Sequence, residues 1–216
     1  MIPAKAFRLS KHRLSALLTE GERVELSAAL LRHTIAVVRQ AFQASPLIVV
    51  ASGEDAAEVA RQSGVDKVFL ATGEGLNEQL AEAAASIPAD AELLTLHADL
   101  PMIQSADLLA INAHDRAILL APDRHGTGTN AMLQRGPDRF FLFGKESLRR
   151  HRQEAKRRGL TCGLVESAGL AQDLDDPDDW HRTMGNVTWP LPQALKARRA
   201  PLSIGSRQDR KTSRPS

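Results

Sequence analysis

Several stretches of this sequence carry groups that a hydrophobic core cannot use. The densest lies within residues 117–133, AILLAPDRHGTGTNAML, where an apolar run gives way to a loop at 122–130 before the apolar pattern resumes. Gly126 and Gly128 let the backbone come close to a ligand. The loop N–H groups and the Thr127 and Thr129 hydroxyls are donors suited to an anionic oxygen. Arg124 and His125 add positive or switchable charge. A Gly/Thr-rich turn between two strands is the commoner use of such residues, but the density of donors favours a phosphate- or carboxylate-binding loop.

Two acidic stretches complement it. In Leu93-Leu94-Thr95-Leu96-His97-Ala98-Asp99-Leu100-Pro101 an apolar strand delivers Asp99 at its carboxyl end, where a carboxylate can hold a divalent metal. Alone, Asp99 could merely turn the chain ahead of Pro101. The run Asp173-Leu174-Asp175-Asp176-Pro177-Asp178-Asp179 changes that balance. Asp176 before Pro177 reads as a helix cap, and Asp178 and Asp179 suit the positive end of the helix that follows. Asp173 and Asp175 remain. In an extended segment they share one face, with Leu174 opposite, and two carboxylates so placed repel unless a cation sits between them. With Asp99 they make an oxygen-rich set suited to magnesium, which favours few carboxylates plus substrate phosphates.

Cations stand at the start of the chain: Lys5, Lys11 and Arg13 precede the first long helix and could neutralise a nucleotide triphosphate or simply form a solvated surface. Gly73-Glu74-Gly75-Leu76-Asn77 is a second flexible loop opening a helix, and the N–H groups near Gly75 and the Asn77 amide could read a base or ribose. Other signatures fail. Gly144-Lys145-Glu146 is no phosphate-binding P-loop, because Glu146 replaces the hydroxyl residue and the upstream glycine is missing. The Gly126–Ala131 letters fit a dinucleotide fingerprint but lead into a strand rather than a helix. No G-x-S-x-G elbow supports a serine hydrolase, and no His/Cys cluster suggests zinc.

The elements that must position these residues alternate. Helical spacing covers 22–42, 54–63, 76–86, 105–112 (capped by Ser105) and 146–158, and continuous apolar runs at 47–51, 65–70, 93–97, 117–121 and 160–165 read as strands. Strands without strict alternation, separated by helices, predict an α/β fold: a mostly parallel sheet covered by helices on both faces, with ligands beyond the carboxyl ends of the strands.

With 216 residues and 43% hydrophobic content, one domain is expected over residues 1–196. The lone Cys162 excludes an internal disulfide and reads as a small buried strand residue. Neither a signal peptide nor a membrane-spanning run is present, so a cytoplasmic protein without membrane attachment is expected. The pI of about 8.9 belongs to the end of the chain. Residues 197–216 hold six bases and one acid, leaving residues 1–196 with 22 bases against 25 acids. That basic tail lacks the apolar content to fold and reads as a disordered extension; nucleic acid is not the expected partner.

Taken together, I-P-A-K, S-K-H-R-L, G-L-N, H-A-D-L-P, A-P-D-R-H-G-T-G-T-N, F-G-K-E-S and D-L-D-D-P-D-D resemble the guanylyltransferases of deazaflavin coenzyme F-420 biosynthesis. These act on 2-phospho-L-lactate, phosphoenolpyruvate or 3-phospho-D-glycerate. The resemblance runs from Ile2 to Trp180, with His12 standing where family members often carry serine. It implies a single nucleotidyltransferase domain that transfers GMP from GTP to a small phosphorylated acid, whose product a downstream deazaflavin transferase consumes. It also implies that Thr129, Gly144 and Ser147 hold the acid and that Asp99, Asp173 and Asp175 hold magnesium. Two alternatives stay open. One is a molybdopterin or sugar-phosphate nucleotidyltransferase, against which the glycine-free segment 4–13 counts. The other is a non-catalytic guanine-nucleotide-binding protein. The sequence gives no oligomeric state.

Overall fold

The computed structural model describes residues 1–199. The strands are β1 (Ile2–Ala4), β2 (Ile48–Ala51), β3 (Lys67–Leu70), β4 (Leu93–Leu96), β5 (Ile118–Pro122), β6 (Thr129–Gln134) and β7 (Cys162–Leu164). Five fall on the expected apolar runs, β6 where the apolar pattern resumes after the 122–130 loop, and β1 is an addition to the expected set. Between and after them run helices α1 (Glu20–Ala41), α2 (Glu54–Gln62), α3 (Leu76–Ala84), α4 (Ser105–Asn112), α5 (Ser147–Arg157), α6 (Ala168–Ala171), α7 (Pro177–Thr183) and α8 (Gln193–Lys196). Strands β1, β2 and β3 pair in parallel. In the order β4-β6-β5-β7, β6 is antiparallel to both neighbours and β5 is parallel to β7.

The two sets of strands meet at Met1. Its nitrogen donates to Leu94 O at 2.6 Å and its carbonyl accepts from Leu96 N at 3.0 Å, the slanted pattern of a parallel pair. The sheet therefore runs β3-β2-β1-β4-β6-β5-β7, with β6 the one reversed strand. Alternation along each strand feeds two apolar layers. Val49 and Ala51 pack with Ala28, Leu31 and Ile35 of α1 and with the α2 alanines, and Leu119, Ala121, Ala131 and Leu133 join α4 and α6 on that face. Val50, Ile118, Leu120 and Met132 meet α3 and α5 on the other. The mostly parallel sheet covered on both faces is thus the observed architecture.

The ends of the helices follow local chemistry. In α1, Thr19 and Glu22 form a reciprocal capping box. Helix α4 departs from expectation: its cap is Gln104, whose N–H donates to Asp107 at 2.7 Å, and Ser105 is already helical. Asp176 caps α7 by accepting from Asp179 N at 2.9 Å, with Pro177 in the first turn. From α7 onward, Trp180, Met184, Val187, Leu191 and Leu195 cover Leu26 and Leu30 of α1, and Trp189 Nε1 donates to Pro101 O at 2.7 Å. Ala197–Arg199 close in a 3₁₀ turn, with Arg198 at 3.1 Å from Glu22; the rest of the expected tail lies outside the described residues. No helix among the described residues is long and apolar enough to cross a membrane.

Because Asp176 is a cap and touches no other functional group, Asp176→Ala should lower unfolding free energy by about 1 kcal/mol. Chemical denaturation of the two proteins measures this, and turnover should stay near that of the parent.

Candidate active site

The carboxyl ends of the parallel strands open onto a cleft of about 490 Å³, lined among others by Lys5, Lys11, Ser52, Gly75, His97 and Asp99. Residues from four distant stretches thus converge: the segment after β1, the turn after β2, the loop before α3 and the segment after β4. Lys11 is the hinge of the arrangement. Its ammonium lies 2.8 Å from Asp99 Oδ2 and 3.0 Å from Asp175 Oδ1, with only 8% of its side chain exposed. Its backbone takes the left-handed conformation at φ 56°, which costs a non-glycine residue on the order of 1 kcal/mol or more and persists only where surroundings impose it. Burial alone would push the ammonium down, but Asp99 and Asp175 outweigh that and hold it above the usual lysine range. Two of its three protons are committed to carboxylates, and one remains for another anion.

Asp173 completes the acidic group from the edge. Burial first, and then the charges of Asp99 and Asp175, push its carboxyl up to about 6. Asp99 Oδ1 is buried with no hydrogen-bond partner. Burial would raise the Asp99 carboxyl, yet Lys11 and then His97 bring it below the ordinary value. Among the described residues, no group of three or more His, Cys, Asp or Glu side chains is arranged to hold a metal ion; Lys11 Nζ occupies the place between Asp99 and Asp175.

The acidic segment follows helix α6 and is held by backbone and by Asp179. Leu174 N donates to Asp99 O at 2.9 Å, and fully buried Leu174 points away from its acidic neighbours as expected. Asp179 Oδ2 accepts from Asp175 N at 3.0 Å and Asp176 N at 3.1 Å, while Oδ1 meets Arg124 at 3.0 Å and Arg182 at 2.9 Å. A residue expected only to favour a helix end therefore anchors the whole acidic loop. Arg124, expected to face an anion, is spent on that anchor.

The 122–130 loop differs from expectation in a second way. Asp123 accepts from Thr127 N at 2.8 Å and from Thr127 Oγ1 at 3.3 Å, so those donors close the loop on itself. Gly126 has positive φ, at 68°, whereas Gly128 is needed for space: a Cβ there would sit 2.8 Å from Asp123 Oδ2. Thr129 escapes this closure because it already belongs to β6. Its hydroxyl sits 3.0 Å from His151 Nδ1 and 3.3 Å from Ser147 Oγ. Reversal of β6 carries its first residue to the same end of the sheet as the carboxyl ends of the others.

The remaining expected residues divide. Gly144, at φ 110°, turns the chain into α5 near Ser147. Gly75, at φ 102°, borders the cleft. Asn77 does not present a free amide: Oδ1 accepts from Phe143 N at 2.7 Å and Nδ2 donates to Phe143 O at 3.1 Å, tying the Gly75 loop to the Gly144 turn. Arg13 is exposed on a 3₁₀ turn and does not border the cleft. His97 joins the two regions, bordering the cleft while its ring lies 5.1 Å from that of Phe143.

Two measurements test this geometry. Gly128→Ala should destabilise the loop, and the cost should shrink in an Asp123→Ala background, because neighbours in contact couple; a double-mutant cycle by thermal unfolding reads this. With a chelator present, Asp173 keeps its proton up to about pH 6 in the folded chain but only to about 4 when unfolded. The folded state then holds more protons between those values, and its stability falls as pH rises through the window. Asp173→Asn should therefore raise Tm at pH 7, and the difference should vanish below pH 4.

Comparison with known proteins agrees with this architecture. Residues 1–186 match the family described as "Guanylyl transferase CofC like". A phosphoenolpyruvate guanylyltransferase of Sphaerobacter thermophilus is 36% identical over 193 residues, covering 87% of this chain and 92% of that protein. A 3-phospho-D-glycerate guanylyltransferase of Phenylobacterium zucineum is 32% identical over 187 residues, covering 79% and 82%. Among solved structures, a putative nucleotide-diphospho-sugar transferase from Desulfovibrio desulfuricans shares the fold at TM-score 0.60 and 16% identity, covering 83% of this chain and 84% of its own. The chain is a nucleotidyltransferase and belongs to the CofC-like guanylyl transferase family.

Proposed function

We propose that this protein transfers GMP from GTP to the phosphate of a three-carbon phosphorylated acid: phosphoenolpyruvate, 3-phospho-D-glycerate or 2-phospho-L-lactate. Pyrophosphate leaves, and the guanylylated acid passes to a deazaflavin transferase in coenzyme F-420 biosynthesis. Names of the relatives support guanylyl transfer to such acids. The observation that carries the reading is the buried Lys11 bridge between Asp99 and Asp175, beside a cleft large enough for a nucleotide.

A phosphate oxygen of the acid attacks the α-phosphorus of GTP; the new P–O bond forms as the bond to the bridging α–β oxygen breaks. The nucleophile is already ionised at neutral pH, so no side chain need remove a proton. Positioning and charge neutralisation carry the catalysis. Lys11 offers its third proton to a phosphate oxygen, and Lys5 at the mouth of the cleft balances the leaving pyrophosphate. Arg13 reaches that charge only as a solvent-side cation. The Gly75 loop receives the nucleoside, with Asn77 fixing the loop rather than reading the base. Thr129, Ser147 and the Gly144 turn receive the acid.

The donor set suits a divalent cation in its chemistry: all are carboxylates, one buried Asp99 oxygen lacks a partner, and burial and then Asp99 and Asp175 hold the Asp173 carboxyl high. With Lys11 between Asp99 and Asp175, however, the acids are not arranged around one. Asp99, Asp173 and Asp175 would hold Mg²⁺, which supplies charge neutralisation at the phosphate oxygens. We take the reaction to be cytoplasmic, following the sequence-based expectation.

The test is pyrophosphate release from GTP with each of the three acids in turn, with magnesium and with chelator, the downstream transferase supplied. At least one acid should support magnesium-dependent release; none doing so would sink the proposal. Asp175→Asn and Asp173→Asn should each remove most turnover with the fold intact. Thr129→Val should weaken the acid by about 1.5–3 kcal/mol, the range for a hydrogen bond to a charged group, and leave GTP affinity nearly unchanged. Weakened GTP with unaltered acid would reverse the two subsites.

A further inference from the structure

His151 is fully buried on α5, one turn beyond Ser147, and takes no part in the mechanism above. Its ring is fixed from every side. Leu142 N–H donates to Nε2 at 3.0 Å, Nδ1 lies 3.0 Å from Thr129 Oγ1, and the ring stands edge-on to Phe143 at 4.9 Å. Burial, aided by Arg150, lowers its pKa to about 4, so the ring is neutral at working pH.

A neutral imidazole carries one proton on one nitrogen. The Leu142 amide has only a donor to offer, so Nε2 must accept. The proton then resides on Nδ1, and Nδ1–H donates to the Thr129 oxygen. The opposite tautomer would place two hydrogens face to face at Nε2 and bury an unmet amide. Thr129 Oγ1 also lies 3.3 Å from Ser147 Oγ. The two hydroxyls own two protons, and one is used between them whichever of the pair donates. Neither proton can turn to His151, because Nδ1 is already a donor. One O–H is therefore left over.

We propose that His151 is a positioning residue for the acid subsite: its Nδ1–H fixes the polarity of the Thr129–Ser147 pair so that one hydroxyl proton is offered to an anionic oxygen of the acceptor acid. This rests on the proposed placement of the acid at Thr129 and Ser147. It adds a reason why an acceptor is favoured there: with Nδ1–H on the Thr129 oxygen, the spare hydroxyl proton has no partner within the trio and must turn to an outside acceptor. A carboxylate or phosphate oxygen satisfies that proton, and its charge strengthens the bond.

Steady-state kinetics with GTP and the best of the three acids provides the test, using Thr129→Val, His151→Leu, His151→Asn and the Thr129→Val/His151→Leu double variant of the full chain. His151→Leu should raise KM for the acid about tenfold, the scale of one hydrogen bond to a charged group, with KM for GTP unchanged. His151→Asn, whose amide N–H can stand where Nδ1–H stood, should recover most of that loss. Adding His151→Leu to Thr129→Val should cost little more than Thr129→Val alone. If Thr129→Val leaves the acid KM unaltered, the subsite assignment itself fails. If Thr129→Val raises it while the Asn variant behaves as the Leu variant, or the two losses simply multiply, His151 is only packing and this proposal is overturned. ¹⁵N NMR of the imidazole in the unmodified protein gives an answer even where a variant does not fold: a proton on Nδ1 is expected, and a proton on Nε2 overturns the proposal.

Discussion

Two carboxylates from distant parts of the sequence cannot face each other at the edge of an apolar sheet without a cation between them, and in this chain Lys11 is that cation. The bridge from Lys11 to Asp99 and Asp175 reaches across 88 and 164 residues of sequence. It closes the start of the chain over the end of β4 and fixes the acidic segment before α7. The left-handed backbone at Lys11 shows how firmly its surroundings impose that position. Remove the ammonium and the two carboxylates would repel inside a partly dry site, where such repulsion is least screened. The Asp173 carboxyl, pushed up by burial and then by the charges of Asp99 and Asp175, lies outside the compensation Lys11 provides.

Around this bridge, polar groups divide between framing and presenting. Asp179, Arg124, Asp123 and Asn77 frame: each spends its hydrogen-bonding capacity on the chain itself. Lys11 presents, with one ammonium proton left at the cleft, whereas Thr129 and Ser147 are buried against each other and His151. Framing groups were easy to mistake for presenting ones in the sequence, because both are polar residues in glycine-bearing loops.

That distinction sets how much could be read from the sequence. Strand and helix positions were legible because continuous apolar runs and 3.6-residue spacing are local signals, and the same applies to the Asp176-Pro177 cap. The separation of Asp173 and Asp175 from Asp176 was legible too, since Leu174 between them had to face inward. Illegible were relations that need a third partner. Ser105 looks like a cap until Asp107 captures Gln104 N–H. Arg124 looks like an anion ligand until Asp179 is found beside it. His151 stands four residues after Ser147, a spacing that puts both on one helix face, but the Leu142 amide that assigns its tautomer comes from a loop with no pattern of its own.

The reversed strand β6 has a consequence for how the protein comes into being. The hydrogen-bonded trio of Thr129, Ser147 and His151 is assembled from groups only 18 to 22 residues apart, whereas the Lys11 bridge must bring together both ends of the domain. Contacts of short separation meet little loop-closure entropy and form early, and distant ones wait. On a chain emerging from the ribosome, the half of the site built on β6 and α5 can take shape while Asp175 is still unsynthesised. The charged half, with its mutually repelling carboxylates, is completed only when the last part of the domain arrives with its counter-charge already waiting.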